Sequence, residues 1–188
     1  MPPIAYPERI ETDRLLLRRW REGDAAAYAA IWQDPDVWGA LGGGKDADPR
    51  ELAPHALAKQ LRHWAEHRFG LWAAIPDDAE GEPVGWIGAW RQDVAPALAG
   101  EIEIGWTLRR PWWRRGLATE GARAAAASAF EHLPIDGVIS LVAPSNQRSV
   151  AVARRLGMRA ETETPSREGQ PLRVYALARQ ASERAPAT

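Results

Sequence analysis

The chain contains no cysteine. That excludes disulfides, thiolate-ligated zinc and iron–sulfur sites, and any covalent thioester carried on the protein. It suits a reducing compartment without requiring one. No apolar run approaches the ~20 residues of a membrane-spanning helix. Residues 1–11 carry prolines and charges in place of the apolar stretch of a signal peptide. An excess of one charge is missing too: 24 Lys and Arg face 25 Asp and Glu, a formal net charge of -1. That balance lacks the basic footprint of a nucleic-acid binder. The sequence therefore reads as soluble and cytoplasmic, with neither nucleic acid nor membrane as a partner. Phe is scarce at two residues and Tyr at three, so the ten Trp carry most of the aromatic bulk.

What remains is one domain's length of chain, 188 residues punctuated by 15 Pro and 16 Gly, with no repeat and no internal linker. Residues 1–8 and 179–188 read as tails around a single domain at 9–178. The pattern predicts a strand over about 10–20, then an alanine-rich helix to about 33, capped by Asp24 and ended by Pro35. The glycine-rich stretch 39–48 reads as loop. Asp48-Pro49-Arg50-Glu51 opens a helix that runs to about His67. Strands at 69–75 and 84–91 flank a hairpin turn at 77–82. A fourth strand, 101–108, puts Ile102 and Ile104 on one face and Glu101 and Glu103 on the other. A helix over 116–133, a buried fifth strand at 138–142 and a helix over 146–156 ended by Gly157 follow. Strands at 158–164 and 172–177 close the chain, which is of the α/β class.

Residues 103–121 form a strand, a turn and a helix, with Arg114, Arg115, Gly116 and Ala118 where the helix begins. The first amides of a helix have no internal partner, and the macrodipole adds positive potential there. Small residues let an anion come close, so this stretch can grip a phosphate without a metal. The same residues also suit a plain helix start with solvated arginines. Gly39 to Lys45 is close to a phosphate-binding loop, but Asp46 stands where Ser or Thr would ligate magnesium. Nucleotide hydrolysis is rejected, and the stretch reads as a loop that could cover an acceptor. His63 and His67 are i, i+4 on one helix without a convincing third ligand, so no metal is predicted. No Gly-x-Ser-x-Gly elbow supports a hydrolase triad.

Trp113-Arg114-Arg115-Gly116-Leu117-Ala118 resembles the acetyl-CoA loop of the GNAT superfamily of N-acetyltransferases, whose pattern is [Gln/Arg]-x-x-Gly-x-[Gly/Ala]. Trp113 departs from the general pattern. An aromatic there, followed by Gly-Leu-Ala-Thr-Glu, resembles the RimJ/RimL-like branch that acetylates ribosomal-protein N-termini. Glu11-Thr12-Asp13-Arg14-Leu15-Leu16-Leu17-Arg18 is similar to that branch's opening strand. Asn146-Gln147-Arg148-Ser149, ending in Leu156-Gly157-Met158, is similar to its later helix. The three motifs share the family's order and spacing.

The resemblance implies a GNAT-type domain: a mostly antiparallel, twisted mixed sheet flanked by helices, with the fourth and fifth strands parallel and splayed. It implies acetyl-CoA as cosubstrate and no metal. Backbone amides of Arg114, Arg115, Gly116, Leu117, Ala118 and Thr119 would hold the pyrophosphate. Trp106, Thr107 and Leu108 would pair with the pantetheine arm. Asn146 would bond the pantetheine or cap its helix, two compatible roles. Ser149 would protonate the leaving thiolate or be a helix-surface hydroxyl. The family often has a tyrosine seven residues after that asparagine; here the position is Ala153, leaving Ser149, water, Tyr28 or Tyr175 as proton sources, or a thiolate that departs unprotonated.

Without cysteine, direct attack by the amine in a ternary complex is the simpler route, and it needs something to take a proton. Glu103 matches a family carboxylate near the incoming amine, and reads as base or as a structural strand residue. The acceptor would be a primary amine, on a protein N-terminus or a small molecule, held between residues 32–45 and 164–172. Trp32, Trp38, Trp64, Trp72, Trp86 and Trp90 offer aromatic surface there, though most should be core. A non-catalytic acyl-CoA-binding sensor of the same fold is the alternative. RNA binding rests only on Arg109, Arg110, Arg114 and Arg115, and the net charge opposes it. Exposed tryptophans would point to a homodimer.

Overall fold

The computed structural model describes residues 5–41 and 47–179. β1 (Arg9–Glu11) and β2 (Leu15–Arg18) form a hairpin where one strand was predicted. Thr12 makes the break: its hydroxyl accepts from the Leu15 N–H at 3.1 Å, and its own N–H donates to the Leu15 carbonyl at 2.9 Å. Helix α1 (Ala25–Trp32) follows, but Asp24 does not cap it. Its carboxylate instead takes the Arg18 guanidinium through two bonds of 2.8 Å and the Arg21 N–H at 2.8 Å.

Pro35 starts a helix and does not stop one. It is the first residue of α2 (Pro35–Ala40), where a missing N–H costs nothing, and Asp34 caps it through the Asp36 and Val37 N–H groups. Gly39 is therefore helical. Residues 42–46, which hold most of the segment resembling a phosphate-binding loop, lie outside the described residues. Helix α3 (Pro49–His67) begins as predicted, with Asp48 accepting from the Arg50 N–H at 2.8 Å, and ends at Arg68 with φ of 64°.

The remaining elements are β3 (Leu71–Pro76), β4 (Gly85–Arg91), β5 (Ile102–Leu108), α4 (Leu117–His132), β6 (Gly137–Val142), α5 (Gln147–Arg155), β7 (Arg159–Pro165) and β8 (Pro171–Ala178). All eight strands lie in one sheet, ordered β1-β2-β3-β4-β5-β6-β8-β7. Every pairing is antiparallel except that of β5 with β6. The predicted architecture is the observed one. No helix among the described residues is long and apolar enough to cross a membrane.

Alternation divides the sheet into two faces. On one, Leu15, Leu17, Trp72, Ile87, Ala89 and Ile104 pack against α4. That helix offers Ala122, Ala125, Ala126 and Ala129, small enough for close seating. At Gly121 a Cβ would come within 2.6 Å of Ile87 Cδ1, so even alanine crowds the contact. On the other face Leu71, Ala73, Trp86 and Trp90 meet α1 to α3 through Tyr28, Ile31, Val37, Ala53 and Leu57. Each such large apolar side chain contributes about 1.5–3 kcal/mol on burial. A smaller cluster of Val142, Val150, Ala153, Met158 and Tyr175 seats α5. The connection from β4 to β5 is built around buried Gln92, whose amide accepts from the Ala95 N–H and donates to the Ala95 carbonyl. The β7–β8 turn docks on it: the Arg167 N–H donates to the Val94 carbonyl at 2.9 Å and Arg167 Nε to that of Asp93 at 2.6 Å.

Candidate active site

Beyond β5 the chain makes a 3-10 turn over Arg110–Trp112 and enters α4 through two left-handed residues, Arg114 at φ 61° and Gly116 at φ 81°. Left-handed geometry strains arginine but suits glycine, and it folds successive amides into a concave nest. No side chain caps the helix at Gly116, so its first amides keep their bonding capacity. A Cβ at Gly116 would stand 3.3 Å from Arg14 Nη2. Trp113 braces the turn. Its Nε1–H donates to the Leu108 carbonyl, and the Arg148 guanidinium lies 4.1 Å from its ring. That stack ties the start of α5 to the start of α4. Arg115 pairs with Asp78 at 2.8 Å.

The parallel pair β5–β6 is joined at a single register, Glu103 with Ile139. One step further, a continued ladder would set the Leu141 N–H on the Ile104 carbonyl. Side chains take both groups instead: Ser140 Oγ donates to the Ile104 carbonyl at 2.6 Å, and the Leu141 N–H donates to Glu103 Oε1 at 3.3 Å. The strands part with neither backbone group orphaned. Trp106, Thr107 and Leu108 lie beyond this point, on the stretch of β5 that has left β6.

Glu103 keeps intermediate exposure by area but sits deep among protein atoms, opposite Trp90 on the face that meets α1 to α3. Burial pushes its carboxyl up to about 7; the Leu141 N–H works against that shift and the Asp93 charge works with it. It is thus poised to take and release protons near neutrality. Asn146 Oδ1 accepts from the Ser149 N–H at 3.2 Å, so Asn146 caps α5, and Ser149 is half-buried one turn in. Ala153 is fully buried against Tyr175 and Met158. Tyr28 is buried and stacked on Trp86 at 5.4 Å, and burial raises its hydroxyl to about 12.

Of the six tryptophans considered for the acceptor, Trp64, Trp72, Trp86 and Trp90 are core, while Trp32 and Trp38 are half-buried with rings 5.7 Å apart. No tryptophan of the chain is exposed, so none argues for a dimer. His63 is taken by the fold: Nδ1–H donates to the Phe69 carbonyl at 2.9 Å, and the Arg91 N–H donates to Nε2 at 3.1 Å. A cleft of about 850 Å³ lies at the other end of β5 and β6, lined by Glu101, Ile135, Asp136 and Arg159 among others. No residue from the start of α4 reaches it, and it is not the candidate site.

A family model, the acetyltransferase (GNAT) domain, matches residues 14–159. The chain belongs to the GNAT acetyltransferase family. It is accordingly an acyltransferase of a family that uses acetyl-CoA. Uncharacterized protein YkkB of Bacillus subtilis (strain 168) is 30% identical over 176 residues, covering 89% of this chain and 94% of that protein. The crystal structure of the acetyltransferase from Agrobacterium tumefaciens str. C58 matches this GNAT chain with a TM-score of 0.76 at 29% identity, over 91% of this chain and 94% of that one. RimL, a ribosomal L7/L12 alpha-N-protein acetyltransferase in complex with coenzyme A, matches at a TM-score of 0.69 over 91% and 98% of the two chains. At 17% identity that last likeness is one of fold. Within this GNAT fold, Arg14, Glu120, Ser140 and Arg148 adjoin the candidate residues, and sequence reading gave none of them a role. Their contacts span 35 or more residues, a distance at which local pattern carries no signal.

Proposed function

We propose that residues 9–178 form an acetyltransferase domain that transfers an acetyl group from acetyl-CoA to a primary amine by direct attack in a ternary complex. The observation that carries this reading is the parting of β5 from β6 beside an uncapped helix start, with a carboxyl of raised pKa at the point of parting. A nest at Arg114 and Gly116, with Arg14 within reach, suits a pyrophosphate, and the end of β5–β6 pairing near Ser140 suits an extended thiol arm alongside β5. When bound, acetyl-CoA supplies an acetyl group already activated toward amines.

The protein's own residues supply position and proton management. Amides from Arg114 to Thr119 hold the pyrophosphate. Trp106 to Leu108, on the stretch of β5 that has left β6, would offer backbone groups to the pantetheine arm. Asn146 caps α5 through Oδ1, and its amide nitrogen would be the group that bonds the same arm. Glu103 takes the proton that the incoming ammonium must lose, directly or through a water. Ser149 donates to the departing sulfur, since Ala153 leaves no phenol at that place. The acceptor enters on the Glu103 face, between Trp32 and Trp38 on one side and the 164–172 turn on the other. The motifs at Glu11–Arg18 and Asn146–Met158 favour the RimJ/RimL-like branch and an N-terminal amine over a small-molecule amine.

The test is release of free thiol from acetyl-CoA across N-terminal peptides and small amines, beside Gly116→Glu. That substitution sets bulk and negative charge where the pyrophosphate should lie. Turnover with the native chain and none with the variant is the expected result. Equal turnover by both would overturn the donor site.

A further inference from the structure

We infer that Arg14 and Glu120 act as a positioning pair for the donor site, holding the anion-binding turn in shape. The inference rests on the acetyl-CoA reading above. Glu120 lies in the first turn of α4, where a bare carboxylate would repel a pyrophosphate. It is not bare. It accepts from Thr12 Oγ1 at 2.6 Å, from the Arg14 N–H at 2.9 Å and from Arg14 Nε at 2.8 Å, and it pairs with Arg14 Nη2 at 2.5 Å. Burial works to raise the Glu120 carboxyl, but the Thr12 and Arg14 bonds outweigh it and hold it below its ordinary range, hence charged.

The third guanidinium nitrogen, Arg14 Nη1, donates to the Arg115 carbonyl at 2.8 Å. Arg115 stands between the two left-handed residues of the turn. Tying its carbonyl down to Arg14 sets the plane of the peptide that follows, and that peptide's N–H belongs to Gly116. One side chain thus neutralises the acid of the first turn, orients the turn's backbone and places a half-exposed positive group beside Gly116. The contact joins residues 106 apart and gives the Thr12–Arg14 motif a task that strand formation does not require.

Charge counting and this account predict opposite signs. Removing an acid beside a polyanion site should tighten binding by simple electrostatics. If Glu120 anchors the strut, Glu120→Gln loosens it. The experiment is calorimetric titration of the full chain and of Arg14→Gln, Arg14→Lys and Glu120→Gln with two ligands. One is acetyl-CoA; the other is S-acetylpantetheine, which keeps the thioester arm and lacks the nucleotide. Arg14→Gln and Glu120→Gln should each weaken acetyl-CoA about tenfold, the scale of one lost charge-assisted hydrogen bond. S-acetylpantetheine affinity should not move. Arg14→Lys, which keeps charge but not the fork, should fall between native and Arg14→Gln. Unchanged acetyl-CoA affinity in Arg14→Gln, tighter binding in Glu120→Gln, or equal losses on both ligands would each overturn the inference. Failure of the native chain to bind acetyl-CoA is a separate result, and it would remove the donor site itself.

Discussion

Single titrating groups set opposite demands on this protein. Glu103 has a folded pKa raised to about 7 against an ordinary 4.5. Its contribution to stability is therefore full below 4.5 and is lost as pH rises through 7. His63 is the reverse: burial, ahead of its other influences, lowers it from 6.5 to about 4. Its contribution is full above 6.5 and is lost as pH falls toward 4. Between 4.5 and 6.5 the two slopes oppose each other, and single variants separate them. Glu103→Gln should melt higher than the native chain at pH 8, because Gln can still accept from Leu141 without an ion to desolvate. His63→Gln should melt lower at pH 7 but lose less on acidification. Melting curves from pH 4 to 8 check both. Asp93 helps hold the Glu103 carboxyl up, so Asp93→Asn should shift the acid limb of any pH–rate profile to lower pH. A carboxyl raised to about 7 is a standing cost in the folded state, which the proposed role of Glu103 as base would explain.

Among elements, the parting of β5 from β6 and the seating of α4 bear most on the site. Ser140→Ala would leave the buried Ile104 carbonyl without a partner, at a cost of about 1–3 kcal/mol. Gly121→Val would drive a branched side chain into Ile87 and should cost about 1–3 kcal/mol from overpacking. Urea unfolding measures each. Elements also divide what could be read in advance from what could not. The start of α4 was legible because Gly116 answers a local need, a left-handed φ of 81° before an uncapped helix. The start of α3 was legible through Asp48 and Pro49 for the same reason. Pro35 misled, since proline stops one helix and opens the next with equal chemistry; only the Asp34 bonds decide between them. The break between β1 and β2 hangs on a single residue, Thr12, through its hydroxyl and its N–H. Ser140 and Glu120 act through partners 36 and 106 residues away, and no periodicity encodes such pairs.

At the scale of the molecule, the sheet separates two tasks. One face is closed by α4, whose alanine-lined interface seats that helix closely on the sheet. The other carries Glu103 opposite Trp90, and the β7–β8 turn is bonded to the β4–β5 connection at Asp93 and Val94. The parting of β5 and β6 joins them, so a thioester delivered from one side would meet an amine arriving from the other. The central claim is that Glu103, at that junction, takes the amine's proton. The pH dependence of kcat/KM for the native chain and Glu103→Gln tests it most directly, with an amine found in the thiol-release screen. The account predicts an acid limb near pH 7 in the native profile. In Glu103→Gln that limb should be absent and the plateau about 10² or more lower. An unchanged limb and an undiminished plateau in Glu103→Gln would contradict it.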